Sequence, residues 1–208
     1  MNAQNKKNQK KAFSKPQSLK ITTTALLCAI AVVLQYAEVP LPFMPSFIKL
    51  DFSDLPELIG ASVCGPLAGV LIAFIKNLFH LIASGSGAVG ELSNFLLGAV
   101  FVFTAGMIYK KMPNFKGALI GGIAGAVVMG IVSLPCNNFI IYPLYYSVIG
   151  FPKEAILEMY RLIRPSTASI PEALLVFNVP FTIVKGLISV AVTAAVYKPL
   201  EKLTNRMR

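Results

Sequence analysis

Asn178, Thr182 and Lys185 stand at positions i, i+4 and i+7 of a stretch, 173–197, in which Lys185 is the single charge. On a helix that spacing puts all three side chains on one face. A carboxamide, a hydroxyl and an ammonium in line supply hydrogen bonds of both polarities, which suits gripping a small molecule. Pro180 lies inside the same stretch. It removes a backbone donor and frees a carbonyl one turn earlier, as fits a helix bent around a site. Other polar groups recur in apolar surroundings: Lys76-Asn77, Glu91 with Ser93 and Asn94, and Asn137-Asn138 after Pro135-Cys136. The packing alternative is hydrogen bonding between helices, with Lys185 reaching to an interface. Its central place in the stretch favours a ligand-facing stripe, because a lysine at mid-bilayer costs about 2.5–3.5 kcal/mol on insertion scales.

The same inventory excludes much chemistry. No GxxxxGK[ST] is present to hold ATP, and neither HExxH nor GxSxG occurs. The single histidine, His80, has no partner at metal-ligand spacing and reads as a polar tip at an interface. Cys28, Cys64 and Cys136 form no CxxC or CxxH pair and read as packing residues. The expectation is a protein that is not an enzyme and has no metal site or resident cofactor.

The elements that must position these residues are membrane helices. Of 208 residues, 55% are hydrophobic and 13% charged, against roughly 25% charged in soluble domains; mean hydropathy is +0.68. Charges are absent from 21–37, 58–75, 92–109 and 117–152. About 20 helical residues cross a bilayer core. With breaks at Gly65-Pro66, Gly85-Ser86-Gly87 and Met112-Pro113-Asn114, the predicted spans are 19–37, 54–64, 66–84, 91–111, 117–142 and 172–198. The fold class is all-α: a six-helix membrane bundle over 19–203, flanked by a basic arm, 1–18, and a basic tail, 204–208.

Charge placement decides between six spans and a merged second and third. Six spans put Lys6, Lys7, Lys10, Lys11, Lys15 and Lys20 on one side with Lys110, Lys111, Lys116, Lys198, Lys202, Arg206 and Arg208, against the single acid Glu201. Basic residues are retained on the cytoplasmic side, so both termini are expected there. In a soluble protein the net charge of +10 would suggest nucleic acid; beside a membrane the arm orients the chain and touches anionic lipid. The first outer loop, 39–48, contains Pro40, Pro42 and Pro45 with Phe43, Met44 and Phe47. The prolines stiffen it, and Phe and Met offer flat, polarisable surface suited to an aromatic ring. A loop skimming the membrane is the alternative. Asp51, Asp54 and Glu57 read as the start of the second helix. Ala25 and Ala29 form an AxxxA, and Gly117, Gly121 and Gly125 repeat every four residues; such ridges let helices approach closely, for internal packing or, on the first span, for docking to another subunit. The segment 153–164 is amphipathic and reads either as a surface helix or as a cover for the pocket.

With those residues in view, the chain resembles the riboflavin-specific substrate-binding (S) component of energy-coupling factor transporters. The resemblance rests on FIKLDFSDLPELI at 47–59, GPLAGV at 65–70, IKNL at 75–78, GELSNF at 90–95, Asn137 six residues before Pro143, and PFTIVKG at 180–186. It implies a bacterial cytoplasmic-membrane protein that captures riboflavin from outside beneath the first outer loop. It also implies partners: a transmembrane coupling subunit, met through Ala25 and Ala29, and two ATPase subunits. By the same resemblance Asn137 and Lys185 bond the ribityl hydroxyls or ring carbonyls, with Phe43 and Met44 as lid and Lys76, Asn94, Asn178 and Thr182 completing the ligand site. One departure is Thr182, where asparagine is expected; threonine keeps a donor and an acceptor but is shorter, so a water or a shifted ligand fills the gap. Another vitamin or a related flavin as cargo, a ligand-free scaffold and an intramembrane enzyme are the alternatives.

Overall fold

The computed structural model describes residues 15–207; most of the arm expected over 1–18, and Arg208, lie outside them. The helices are α1 (Lys15–Tyr36), α2 (Asp54–Val63), α3 (Pro66–His80), α4 (Val89–Lys111), α5 (Phe115–Cys136), α6 (Tyr142–Leu144), α7 (Lys153–Arg161), α8 (Ile170–Ala173), α9 (Val179–Ala195) and α10 (Tyr197–Met207). Two short strands, β1 (Val39–Pro40) and β2 (Lys49–Leu50), pair antiparallel with Val39 opposite Leu50 and Pro40 opposite Lys49. They pin the ends of the proline-rich loop together.

Among the described residues five helical stretches are long and apolar enough to cross a membrane: Gln17–Tyr36, Pro66–Ala83, Val89–Lys111, Phe115–Ile149 and Ile170–Ala195. They overlap five of the stretches expected from the sequence, 117–142 being extended to Ile149. The stretch expected over 54–64 coincides with α2, whose 10 residues extend only about 15 Å at 1.5 Å per residue, half the hydrocarbon thickness. α2 and α3 form a hairpin rather than one helix. Gly60 packs against Ile72 and Gly69 against Ala61, pairs nearly symmetrical about the turn. Gly65 makes that turn with φ of +110°, a conformation that side-chain-bearing residues rarely adopt.

Lipid and core faces separate along each helix. On α1, Leu27, Cys28, Ala31 and Gln35 are buried, while Ile21, Leu26, Ile30 and Val33 are exposed. The glycine ridge of α5 meets α4: Gly121 faces the Ala105 carbonyl and Gly125 the Phe101 carbonyl, as close helix approach through small residues requires.

Proline shapes the helix ends nearest the site. Pro143 and Pro180 each lack an N–H and crowd the carbonyl four residues earlier, on Phe139 and Val176. Both carbonyls fall inside widened π turns, Asn137–Ile141 and Leu174–Asn178. A third π turn, Tyr145–Ile149, ends at Gly150. Such turns are rare and cluster at functional sites.

Candidate functional site

A cavity of about 430 Å³ opens between the ends of α1, α3, α4, α5 and α9 and the β1–β2 loop, within the ~300–1,000 Å³ typical of small-molecule sites. Its wall includes Asn94, Asn137, Asn178, Thr182 and Lys185, so the structure gathers five of the sequence-predicted residues, including the whole i, i+4, i+7 set, Asn178 from the π turn and Thr182 and Lys185 from α9. Lys76 is not in the wall. Phe43 is exposed and Met44 buried, and neither lines the cavity; Ser46, Phe47, Ile48 and Lys49 from the same loop do. Ala25 and Ala29 lie far from it, on the exposed face of α1.

The floor is an ionic network. Lys185 Nζ donates to Asp51 Oδ2 at 3.0 Å and Asn94 Oδ1 at 3.3 Å, and lies 3.3 Å from Asp54 Oδ2. Behind it Lys76, with no exposed surface, donates to Asp54 Oδ1 at 3.0 Å and Ser53 Oγ at 2.5 Å and pairs with Glu57 Oε1 at 2.5 Å. The Ser53 hydroxyl in turn donates a hydrogen bond to Asp51 Oδ1, which also accepts from the Ser53 backbone N–H at 2.8 Å. Asp54 therefore bridges both lysines. Buried ions each cost several kcal/mol unless paired, and the pairing here is what allows two ammonium groups to sit in an apolar bundle. Gly98 leaves space for it: a Cβ there would stand 2.9 Å from Glu57 Oε2.

Sequence reasoning missed the acids of this network. Asp51, Asp54 and Glu57 read as helix-start residues, but all three are buried as counter-charges. The signal was available, since two lysines inside apolar spans demand carboxylates and these three acids cluster at the start of one predicted span. His80 is a second correction. Rather than a polar tip at an interface it is buried, with Nδ1 2.9 Å from Glu91 Oε1 and the Tyr36 ring tilted against it at a centroid distance of 5.1 Å. Glu91 Oε2 accepts from Ser84 Oγ at 2.8 Å and Ser86 Oγ at 3.0 Å, which ties the α3–α4 connection to the cavity mouth. Gln35, also in the wall, donates to Asn77 Oδ1 at 2.9 Å, while its Oε1 has no hydrogen-bond partner among the described residues.

Aromatic side chains also line the cavity. Phe47, Tyr142 and Tyr145 pack with ring centroids 5.5–6.4 Å apart, and Phe181 lines the same space. Tyr142 continues into a buried triad: its hydroxyl is 2.5 Å from that of Tyr160, which donates to Asn178 Oδ1 at 2.6 Å, and Asn178 Nδ2 lies 3.4 Å from the Tyr142 oxygen. Burial pushes the Tyr160 hydroxyl above its ordinary pKa, so it remains a donor. The amphipathic segment whose place was open in sequence is thus anchored: α7 buries Ile156 and Tyr160 against the bundle.

A larger opening of about 620 Å³ lies at the other end, lined by Lys20, Cys64, Gly65, Pro66, Tyr109, Lys110 and Pro113 among others. Its lysines are exposed, and it lacks the convergent buried polar groups of the first. The first cavity, lined by aromatic and by buried polar and charged side chains, has the make-up of a binding site.

Helices of membrane length around such a cavity define a class: a multi-pass membrane protein that holds a small molecule. Over residues 19–197 the sequence matches the family described as the substrate-specific component of ECF transporters, and the chain belongs to that family. The family is a transporter component, not an enzyme. A riboflavin transporter, RibU, of Staphylococcus aureus (strain TCH60) is 32% identical over 200 residues, covering 96% of this chain and 100% of that one. The riboflavin transporter FmnP of Bacillus subtilis (strain 168) is 29% identical over 192 residues, covering 91% and 95%. A solved structure of the S component of a bacterial ECF transporter superposes with a TM-score of 0.69 at 34% identity, covering 88% of this chain and 96% of that chain.

Proposed function

We propose that this chain is the riboflavin-binding S component of an ECF-type importer. It captures the vitamin from outside and delivers it through a transmembrane coupling subunit and two ATPase subunits. The observation that carries the reading is the cavity's combined aromatic and polar lining. Riboflavin is a flat aromatic ring system with carbonyls on its terminal pyrimidine ring, an apolar dimethylbenzene ring at the other end and a chain of hydroxyls on a nitrogen of the central ring. Phe47, Tyr142, Tyr145 and Phe181 supply faces for the ring, and Asn94, Asn137, Asn178, Thr182 and Lys185 supply donors and acceptors. The similarity to riboflavin transporters along nearly the whole chain supports the same cargo.

In this reading Lys185 acts with Asp51 and Asn94 as a fixed polar floor, and the β1–β2 loop, with Phe47 directed to the rings, forms the cover. Lys76 holds the floor from behind rather than touching the ligand. Both termini are cytoplasmic, and the exposed Ala25 and Ala29 are the contact for the coupling subunit.

Titration of the detergent-purified protein with riboflavin, followed by quenching of flavin fluorescence, tests the cargo. Saturable quenching, weakened at least about tenfold (about 1.4 kcal/mol) by Asn137→Ala, is expected. A folded preparation that leaves the fluorescence unchanged overturns the reading. Competition with other vitamins separates riboflavin from a different cargo, and uptake that survives loss of the ATPase subunits would refute the coupling.

A further inference from the structure

We propose that Tyr160, on α7, is a positioning residue that locks the side-chain amide of Asn178 so that it presents an N–H donor to the ligand. Tyr142, Tyr160 and Asn178 close a three-membered ring of hydrogen bonds. Distances set its direction. The 2.6 Å separation of the Tyr160 oxygen from Asn178 Oδ1 suits O–H···O and is short for N–H···O. The longer 3.4 Å contact to the Tyr142 oxygen therefore belongs to the amide nitrogen.

The protons follow by elimination. The Tyr160 proton is engaged by Asn178 Oδ1, so the proton in the 2.5 Å Tyr142–Tyr160 contact comes from Tyr142. One Nδ2 proton of Asn178 goes to the Tyr142 oxygen. Every hydroxyl proton in the ring is then in use, and the one that remains is the second N–H of Asn178. Asn178 lines the cavity and Tyr160 does not; with no exposed surface, Tyr160 reaches a ligand only through Asn178. Rotating the amide by half a turn would place nitrogen at 2.6 Å from an oxygen whose proton points at it. The hydroxyl of Tyr160 thus makes the two faces of the amide unequal, and the ligand atom that meets Asn178 is an acceptor.

This rests on the flavin reading of the cavity, where the acceptor is a ring carbonyl or an unprotonated ring nitrogen. The test begins with wild-type protein and riboflavin; absence of binding there refutes the flavin reading itself. Given binding, Tyr160→Phe is expected to weaken it about fivefold or more, and Asn178→Ala about tenfold or more. The double variant should bind like Asn178→Ala alone, since the hydroxyl acts through that amide. A twofold or smaller effect of Tyr160→Phe, or losses that multiply in the double variant, would overturn the assignment. A second measurement uses unaltered protein labelled with 15N-asparagine. Riboflavin should shift one Nδ2 proton resonance of Asn178, identified by its loss in Asn178→Ala; an unmoved pair of amide protons would equally overturn it.

Discussion

Lys76 and Lys185 share Asp54, yet their removal should be felt differently. Lys76 has no exposed surface and touches only the network. Lys76→Met strands Glu57 and half of Asp54 without a counter-charge, and breaking a buried pair in this way costs about 3–5 kcal/mol. The expected result is a markedly lower melting temperature for the ligand-free protein. Lys185 stands in the cavity wall, so Lys185→Met should weaken riboflavin binding by at least about tenfold, read by fluorescence titration at a temperature where the variant is folded. At this scale the sequence was partly legible. Lys185 declared itself as a lone charge in an apolar run, and Asn178 and Thr182 followed from helical spacing. Asp51, Asp54 and Glu57 did not, because an acid at a helix start has a local explanation that hides a tertiary one. Gln35 and Tyr160 gave no signal at all, since their partners lie on other helices.

Among the elements, turns and proline-adjacent helix ends carry the consequences. Gly65 turns α2 into α3 at φ of +110° with open space where a Cβ would go. Gly65→Ala therefore meets backbone strain rather than a clash, about 1–3 kcal/mol, visible as a lower melting temperature with riboflavin affinity largely preserved in the folded fraction. Pro180 follows the π turn that ends at Asn178. Pro180→Ala restores an N–H and relieves the crowding at Val176, so a regular α turn becomes accessible. That turn would rotate Asn178 relative to Thr182 and Lys185. Weaker binding at unchanged or higher thermal stability is the expected signature, and unchanged affinity would show that the π turn is held by its neighbours instead. The breaks at Gly65-Pro66 and Met112-Pro113-Asn114 were readable from residue type. The widening of the helix was not, because proline disrupts a helix in several ways and packing selects among them.

Across the whole molecule, the cavity wall carries Glu38, Asp51, Asp54 and Glu91 against Lys49 and Lys185, and both lysines are already paired, Lys49 with Glu38 and Lys185 with Asp51 and Asp54. A ligand phosphate carries about −1.5 to −2 charge and finds no unengaged cation in this wall. Riboflavin 5′-phosphate should bind at least about tenfold more weakly than riboflavin, a ratio measured by competition titration and reduced by Glu91→Gln if repulsion is its cause. Ala25 and Ala29 lie on an exposed face of α1, remote from that wall. Replacing both with leucine should leave riboflavin binding intact in purified protein while abolishing uptake in cells. Loss of binding would instead tie that face to the fold.

The chain's residues by themselves determined that it is a membrane bundle of helices, where glycine breaks them, and that Thr182 and Lys185 belong to one polar face. These follow from local quantities: hydropathy over a bilayer's thickness, helical periodicity, and the backbone limits of glycine and proline. Which charges neutralise one another, that α2 is a half-length helix folded back on α3, and that α7 reaches Asn178 of the cavity wall through Tyr160 were decided by tertiary structure. Each depends on distances between residues far apart in the chain, where the low dielectric of the interior makes pairing obligatory but leaves the choice of partner to the packing of helices.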